Sequence, residues 1–322
     1  VKQTLLGLDA ASYQRHALHR GERVWLETNC YVDLWIEVLH AYGLDPHAGL
    51  GFTLGAGFEG DQWLFFKQPT AELALLYGVE VQELNLWRDL LGHVSVQLAR
   101  GRLVLLEVDA FYLPDTAGVS YRSAHSKTTI AIESLEHSEK QLGYFHNAGY
   151  FALGGDDFDG LFGLVERPLL VPYTEFACIE PTRALRGPAL LDAARTLLKT
   201  HVARMPRDNP LTLLRASFER ELGWLSEQPQ QTFHEYAFAT LRQCGACYEL
   251  SGSHLRWLTE QGTHDLGPAI EACDALASQA KMLQFKLARA LVLKKPVEFT
   301  PMFEAMERAY GTARACLAHW AE

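Results

Sequence analysis

Cys30, His125 and Asn147 are the three residues whose types and order could carry covalent chemistry in this chain. Cys30 stands where the loop WLETN becomes a helical pattern, CYVDLWIEVLHAY, running to about Tyr42 with Val32, Leu34, Trp35, Val38 and Leu39 at helical spacing. A helix N-terminus carries unpaired N–H groups and the positive end of the helix dipole. Both favour a thiolate, and the same N–H groups can hold a developing oxyanion. Taken alone, Cys30 reads more readily as a buried structural thiol than as a nucleophile, since free cysteine is among the most buried residue types.

A thiol nucleophile needs a base, and the base needs an orienting group. His125 opens the predicted strand HSKTTIAIESL, directly after the polar loop PDTAGVSYRSA. Asn147 closes the next one, KQLGYFHN. The turn EHSEK between them predicts an antiparallel hairpin. Such a hairpin brings the start of the first strand and the end of the second to one edge, so Asn147 is the expected imidazole-orienting amide. Each residue alone says less: His125 could be a solvated loop residue, and Asn147-Ala148-Gly149 a plain turn.

The elements around these residues read as mixed α and β over 1–178. Gly43 and Asp45-Pro46 stop the first helix, the glycine-rich loop GLGFTLGAGFEGDQW follows, and WLFFK reads as a strand. Helices are expected over Thr70–Tyr77 and Leu84–Ala99, and RLVLLEVDAFYL is the strongest strand signal. Helices first and sheet second give an α+β layout. Beyond Arg183 the texture is helical throughout, with breaks at Pro206, Pro210, Pro229, Gly262, Pro268 and Pro296. An all-α domain of roughly four to six helices is expected over 179–322.

The chain has 322 residues, 48% of them hydrophobic and 21% charged, enough for one large domain or two ordinary ones. A net charge of −10 argues against nucleic acid as a partner. No run of about 18 apolar residues predicts a membrane span, and the first residues lack the pattern of a signal peptide, so a cytoplasmic location is expected. The six cysteines are scattered, as in a reduced protein rather than a disulfide framework.

Other side chains invite a role. Asp109, at the end of the strongest strand and near Tyr112, could bind a substrate ammonium group or simply cap the following turn. Glu59 and Asp61 lie in a glycine-rich loop that matches no phosphate-binding fingerprint and reads as the wall of a cleft. Cys244 and Cys247 form a lone C-x-x-C inside a helical pattern with no second pair, so no metal is expected. Arg195, Lys199 and Arg204 belong to a basic run that usually marks a solvated helix face and could dock an acidic carrier protein.

A cysteine at a helix start, a histidine opening a strand and an Asn or Asp after the next strand resemble the papain-like fold. The chain is more closely similar to a bacterial family catalogued as a domain of unknown function. The segments that carry this similarity are TNCYVDLWIEVLHAYGLDP, FEGDQWLFFK, LLEVDAFYLPDTAG, SYRSAHSKTTIAI, LGYFHNAGYF and DDFDGLF, over roughly residues 20–165. More distantly, it resembles the N-terminal domain of butirosin-biosynthesis protein H. The shared features there are the Cys-led helix, the glycine-rich loop, Asp109, Tyr112, Leu113 and Pro114, the His-led strand and a helical second half. The resemblance places Cys30, His125 and Asn147 in a catalytic triad. Papain-type proteases set a glutamine shortly before the cysteine, whereas this chain reads RVWLETNC, so Glu27, Thr28, Asn29 or backbone N–H groups would hold the oxyanion.

What the resemblance implies is a cysteine acyltransferase. It would move an (amino)acyl group from a carrier-protein phosphopantetheine thioester to a small-molecule or peptide amine through a Cys30 acyl-enzyme. The prosthetic group belongs to the partner carrier protein, and the chain itself would bind no cofactor. A cysteine hydrolase, either peptidase or thioesterase, would use the same residues. A scaffold with a silent triad is a third reading. The apolar faces of the helical half would suit a homodimer.

Overall fold

A computed structural model describes residues 2–21, 23–164, 171–294 and 297–322. Two compact units emerge. One combines Val1–Gly21, Cys30–Pro46 and Pro69–Leu185; the other combines Glu22–Asn29, His47–Gln68 and Arg186–Glu322. A single cut at 178/179 therefore does not separate them, because two segments of the first half belong with the helical unit.

The first unit contains β1 (Gln3–Thr4), α1 (Cys30–Ala41), α2 (Thr70–Tyr77), β2 (Val79–Glu83), α3 (Leu90–Ala99) and β3 (Leu103–Asp109). It continues with β4 (Lys127–Glu136), β5 (Gln141–His146), β6 (Gly149–Gly154), α4 (Asp156–Leu161) and β7 (Thr174–Ile179). The strands form one antiparallel sheet in the order β2-β7-β3-β4-β5-β6, with β1 added against β4. Alternation along the strands sends Val104, Leu106, Val108, Ile130 and Ile132 to one face, where they form a core with Val94 and Leu98 of α3 and Phe158 of α4. α1 packs against β4 and β5 and is buried from Tyr31 to Leu39, its two carboxylates included.

The β4–β5 hairpin, α2 and the end of α3 agree with the sequence patterns. Three elements differ. α3 begins at Leu90 rather than Leu84, because Asp89 caps it by accepting the Gly92 N–H at 2.6 Å, and Leu84, next after β2, donates its N–H to the Thr174 carbonyl at 2.8 Å. WLFFK is not a strand beyond a single bridge between Phe58 and Trp63. Its Trp63 and Phe66 are buried and Leu64 and Phe65 exposed, a pattern without strand alternation. β2, β6 and β7 extend a sheet that the sequence resolved only at its centre.

Glu133 ties down the start of the chain. It sits at a register shift in β4 and is fully buried. One carboxylate oxygen accepts the N–H groups of Leu5, Leu6 and Gly7 and the Thr4 hydroxyl, and the other accepts the Tyr150 hydroxyl at 2.6 Å. A buried carboxylate must have its hydrogen bonds supplied from within the protein, and these five donors do so.

The second unit contains α5 (Gly187–Ala203), α6 (Pro210–Leu225), α7 (Gln230–Ala237), α8 (Gln243–Glu260), α9 (Gly267–Leu293) and α10 (Thr300–Ala321). Pro210 and Pro268 stand in the first turns of α6 and α9, where the missing N–H costs nothing. The break expected at Pro296 lies outside the described residues. Among the described residues, no helix is long and apolar enough to cross a membrane.

The 23–29 segment belongs to this unit because of two anchors. Glu249 of α8 accepts the Arg23 guanidinium and the N–H groups of Val24 and Trp25. The buried Trp25 indole donates to the Ala277 carbonyl at 2.9 Å. Gly245 is required beside it, since a Cβ there would lie 2.2 Å from the indole. Gly245→Ala is therefore expected to destabilise the protein by about 1–3 kcal/mol through overpacking, despite the better helix propensity of alanine. Denaturant unfolding of the variant beside the parent protein checks this.

Candidate active site

Cys30 begins α1 and is half-buried. Its sulfur lies 4.0 Å from the Thr129 hydroxyl on β4. The ladder pairs Thr129 with Glu107 and Lys127 with Asp109. Residues directly opposite each other share a face, as do residues two apart on one strand. Glu107, Asp109, Lys127 and Thr129 thus line one sheet face, the one that Cys30 touches.

Asp109 organises the turn that follows β3. One oxygen accepts the N–H groups of Phe111 at 3.0 Å and Ser126 at 3.2 Å. The other is 2.5 Å from His125 Nδ1. Phe111, fixed by that turn, stacks on the imidazole with ring centroids 4.6 Å apart and planes 14° from parallel. The Arg122 guanidinium lies 5.6 Å from the centroid of the same Phe111 ring and pairs with Asp157. Two contacts therefore set the orientation of His125, although 71% of its side chain is exposed.

The tautomer follows from these contacts. A carboxylate can only accept, so His125 carries its proton on Nδ1 when neutral and leaves Nε2 as the basic nitrogen. Among the described residues Nε2 has no hydrogen-bond partner, and Cys30 and His125 share no hydrogen bond. The face offers a thiol at a helix start and an imidazole oriented by a carboxylate.

Several expected roles fall elsewhere. The orienting group is Asp109, not Asn147. β5 runs alongside β4 with His146 opposite Ile130, which leaves Asn147 about four positions short of His125. Asn147 takes a left-handed backbone, φ 45°, in the β5–β6 turn. The reading of Asp109 as an ammonium-binding group gives way to this orienting role. Tyr112 is held against Gly160 of α4, where a Cβ would meet its ring at 2.1 Å.

The side chains ahead of Cys30 are committed too. The Asn29 amide donates to the Phe66 carbonyl at 2.8 Å and to Gln243. The Thr28 hydroxyl donates to the Leu26 carbonyl at 3.4 Å. Glu27 is exposed with a left-handed backbone, φ 54°. This leaves the backbone N–H groups at the start of α1 as oxyanion donors.

Glu59 and Asp61 are exposed in the unit that does not contain Cys30. In the same unit Arg195 is half-buried and donates to the Thr263 hydroxyl, Lys199 donates to the Ala321 carbonyl, and Arg204 is exposed at the end of α5. Cys244 and Cys247 are core thiols of α8. Burial pushes Cys247 up to about 12 and raises Cys244 as well, and the Cys247 sulfur donates to the Thr53 carbonyl at 3.0 Å.

A second buried dyad lies on the opposite sheet face. His146 Nδ1 is 2.5 Å from Asp115, and its Nε2 is 2.7 Å from the Thr128 hydroxyl. Both ring nitrogens are engaged and the residue is buried, so this arrangement reads as a structural brace.

Comparison with known proteins bears on both halves of the chain. Residues 14–179 match the DUF1839 N-terminal domain and residues 187–319 match the DUF1839 C-terminal domain. No curated protein matches the chain. The chain belongs to the DUF1839 family, with the Cys30 face in its N-terminal domain and helices α5–α10 in its C-terminal domain.

Proposed function

We propose that the protein is a papain-like thiol acyltransferase with Cys30 as nucleophile, His125 as base and Asp109 as the group that positions it. The observation that carries this reading is the His125–Asp109 contact, which leaves Nε2 unengaged at the end of the face where Cys30 starts a helix. The donor in this reading is an (amino)acyl thioester on a carrier protein, as the resemblance to butirosin-biosynthesis protein H implies.

The chemistry is as follows. His125 Nε2 takes the proton of the Cys30 thiol as the sulfur attacks the thioester carbonyl carbon. The N–H groups at the start of α1 hold the oxyanion. The tetrahedral adduct expels the carrier thiolate, which takes the proton back from His125, and leaves an S-acyl Cys30. An amine then attacks the acyl carbon, loses its proton to His125, and displaces the Cys30 sulfur, which is reprotonated. Cys30 touches Thr129, four residues along the chain from His125, so this reading requires the imidazole, at the end of the Ala110–Ser126 loop, to approach the thiol when substrate binds.

Incubation with an aminoacyl-loaded carrier protein, read by intact mass, tests the proposal. A mass gain that requires Cys30 and is discharged by an added amine is the expected result. Discharge by water alone at the same rate would make the protein a hydrolase. Absence of any Cys30 adduct would leave only a scaffold.

A further inference from the structure

α8 and α9 run antiparallel. A Cβ on Gly252 of α8 would meet Cys273 and Asp274 of α9, and Arg256 pairs with Asp274 at 2.7 Å. Nearer the start of α8, the buried Trp25 indole fills the space between Gly245 and the Ala277 carbonyl. One turn further on stand Arg242, three residues before Gly245, and Lys281, four after Ala277. The antiparallel register therefore sets two cations side by side at the rim of the Trp25 slot. Arg242 ends a π-helical turn, Phe238–Arg242, that leads from α7 into α8. Such a turn carries one extra residue, and here its Ala239 carbonyl accepts the Trp63 N–H at 2.9 Å.

Neither cation is neutralised. Arg242 is half-buried, with its guanidinium 5.7 Å from the Phe238 ring centroid and no hydrogen-bond or ion-pair partner for it among the described residues. Lys281 Nζ lies 4.4 Å from the Trp25 centroid and 5.5 Å from that of Phe285, and it donates to the Val24 carbonyl at 3.3 Å. Glu249 attracts Lys281, but its oxygens are already taken by Arg23 and the N–H groups of Val24 and Trp25. Burial lowers the pKa of both cations, and the Arg242 charge lowers that of Lys281 further. The ring contacts hold each side chain in place yet leave two like charges together, one of them with its N–H donors unengaged.

We infer that Arg242 and Lys281 bind the phosphate group of a small phosphate monoester. Such a group carries close to two negative charges at neutral pH and so matches two cations, whereas a carboxylate supplies one. Its oxygens suit the fork of a guanidinium and the point charge of an ammonium together. The organic part has apolar surface to lie on, since Phe238 and Phe285 flank the pair with 42% and 63% of their surface exposed. All of these residues belong to the second unit, so the site stands independently of the Cys30 reading.

Phenyl phosphate is the probe, titrated calorimetrically into the full chain, with benzoate and inorganic phosphate as comparisons. It should bind at least about tenfold more tightly than benzoate, because one charge-assisted contact is lost with the monoanion. It should also bind more tightly than inorganic phosphate, which leaves the Phe238 and Phe285 rings uncovered. Arg242→Gln and Lys281→Gln should each weaken phenyl phosphate by about tenfold or more. The ester should raise the melting temperature of the parent protein and leave that of the double variant unmoved. Absence of binding, benzoate or inorganic phosphate bound as tightly as the ester, or undiminished affinity in both single variants would each overturn the proposal.

Discussion

Cys30→Ala is expected to abolish acyl-enzyme formation, and Asp109→Asn to slow it by about 10⁴-fold with little loss of thermal stability. The second effect follows from how Asp109 is used. One oxygen accepts two backbone N–H groups, from Phe111 and Ser126, and the other meets His125 Nδ1. An asparagine keeps its carbonyl oxygen towards the two N–H groups, because turning the amide would set its NH₂ against them. Its NH₂ then faces Nδ1, which must become an acceptor, and the imidazole proton moves to Nε2. A base that carries its proton on the reacting nitrogen cannot accept one, and a tautomer error of this kind costs about 10⁴-fold in a hydroxyl–imidazole–carboxylate triad. Asn147→Ala should leave the rate near the parent value. Single-turnover mass spectrometry with a loaded carrier protein separates the three variants. A fast Asp109→Asn, or an Asn147→Ala as slow as Cys30→Ala, would remove Asp109 from the positioning role.

The contrast between Asp109 and Asn147 shows what the sequence could convey. β4 and β5 are adjacent in sequence with a polar turn between them, so their pairing was legible and drew attention to Asn147. The β3–β4 pairing spans the long loop from Ala110 to Ser126, and no local pattern marks it. A partial signal was present, since Asp109 ends the most apolar strand and His125 opens the next one. Antiparallel pairing of those two strands alone would have brought them together.

The remaining misses have similar causes. β2 and β7 are short and distant in sequence, Val79 pairing with Ile179. β6 begins and ends in glycine and reads as turn. The apolar run WLFFK has the composition of a strand, yet its backbone bonds go to non-strand partners: the Trp63 N–H to the Ala239 carbonyl and the Leu64 N–H to Gly57. α1 and the helices of the second half were legible because a 3.6-residue apolar period needs no distant partner. Nothing local marks residues 23–29 as part of the helical unit, since their Glu249 and Ala277 anchors lie more than 220 residues away.

His19→Ala should be among the most destabilising single changes in the first unit, at about 3–5 kcal/mol. α1 is apolar around its whole circumference except for His40 in its last turn and for Asp33 and Glu37, which are one turn apart and both buried. His19, from the short helical turn Ala17–His19, reaches both: Nε2 lies 3.1 Å from Asp33 and Nδ1 bonds Glu37. Two carboxylates facing the two ring nitrogens require both to be protonated, so the ring is an imidazolium. The Tyr13 hydroxyl at 2.7 Å and the His16 N–H at 3.0 Å complete the shell of Glu37. Burial alone would raise the Glu37 pKa, but the hydrogen bond and charge of His19, with Tyr13 and His16, outweigh it and hold the group below its ordinary value of 4.5. A carboxylate depressed in the folded state contributes stability above its unfolded pKa and loses that contribution as pH falls through the folded value. The deficit of His19→Ala should therefore be largest between about pH 5 and 6.5, roughly 10 °C in melting temperature, and narrow both as pH drops below about 4.5 and as it rises past the ordinary histidine pKa of about 6.5. His19→Ala/Glu37→Gln should lose less than the sum of the two single variants, because removing both charges leaves one fewer carboxylate unpaired in the core. Thermal melts of the three variants at several pH values decide it; a deficit that stays constant with pH, or strict additivity, would show that His19 acts by packing rather than by charge.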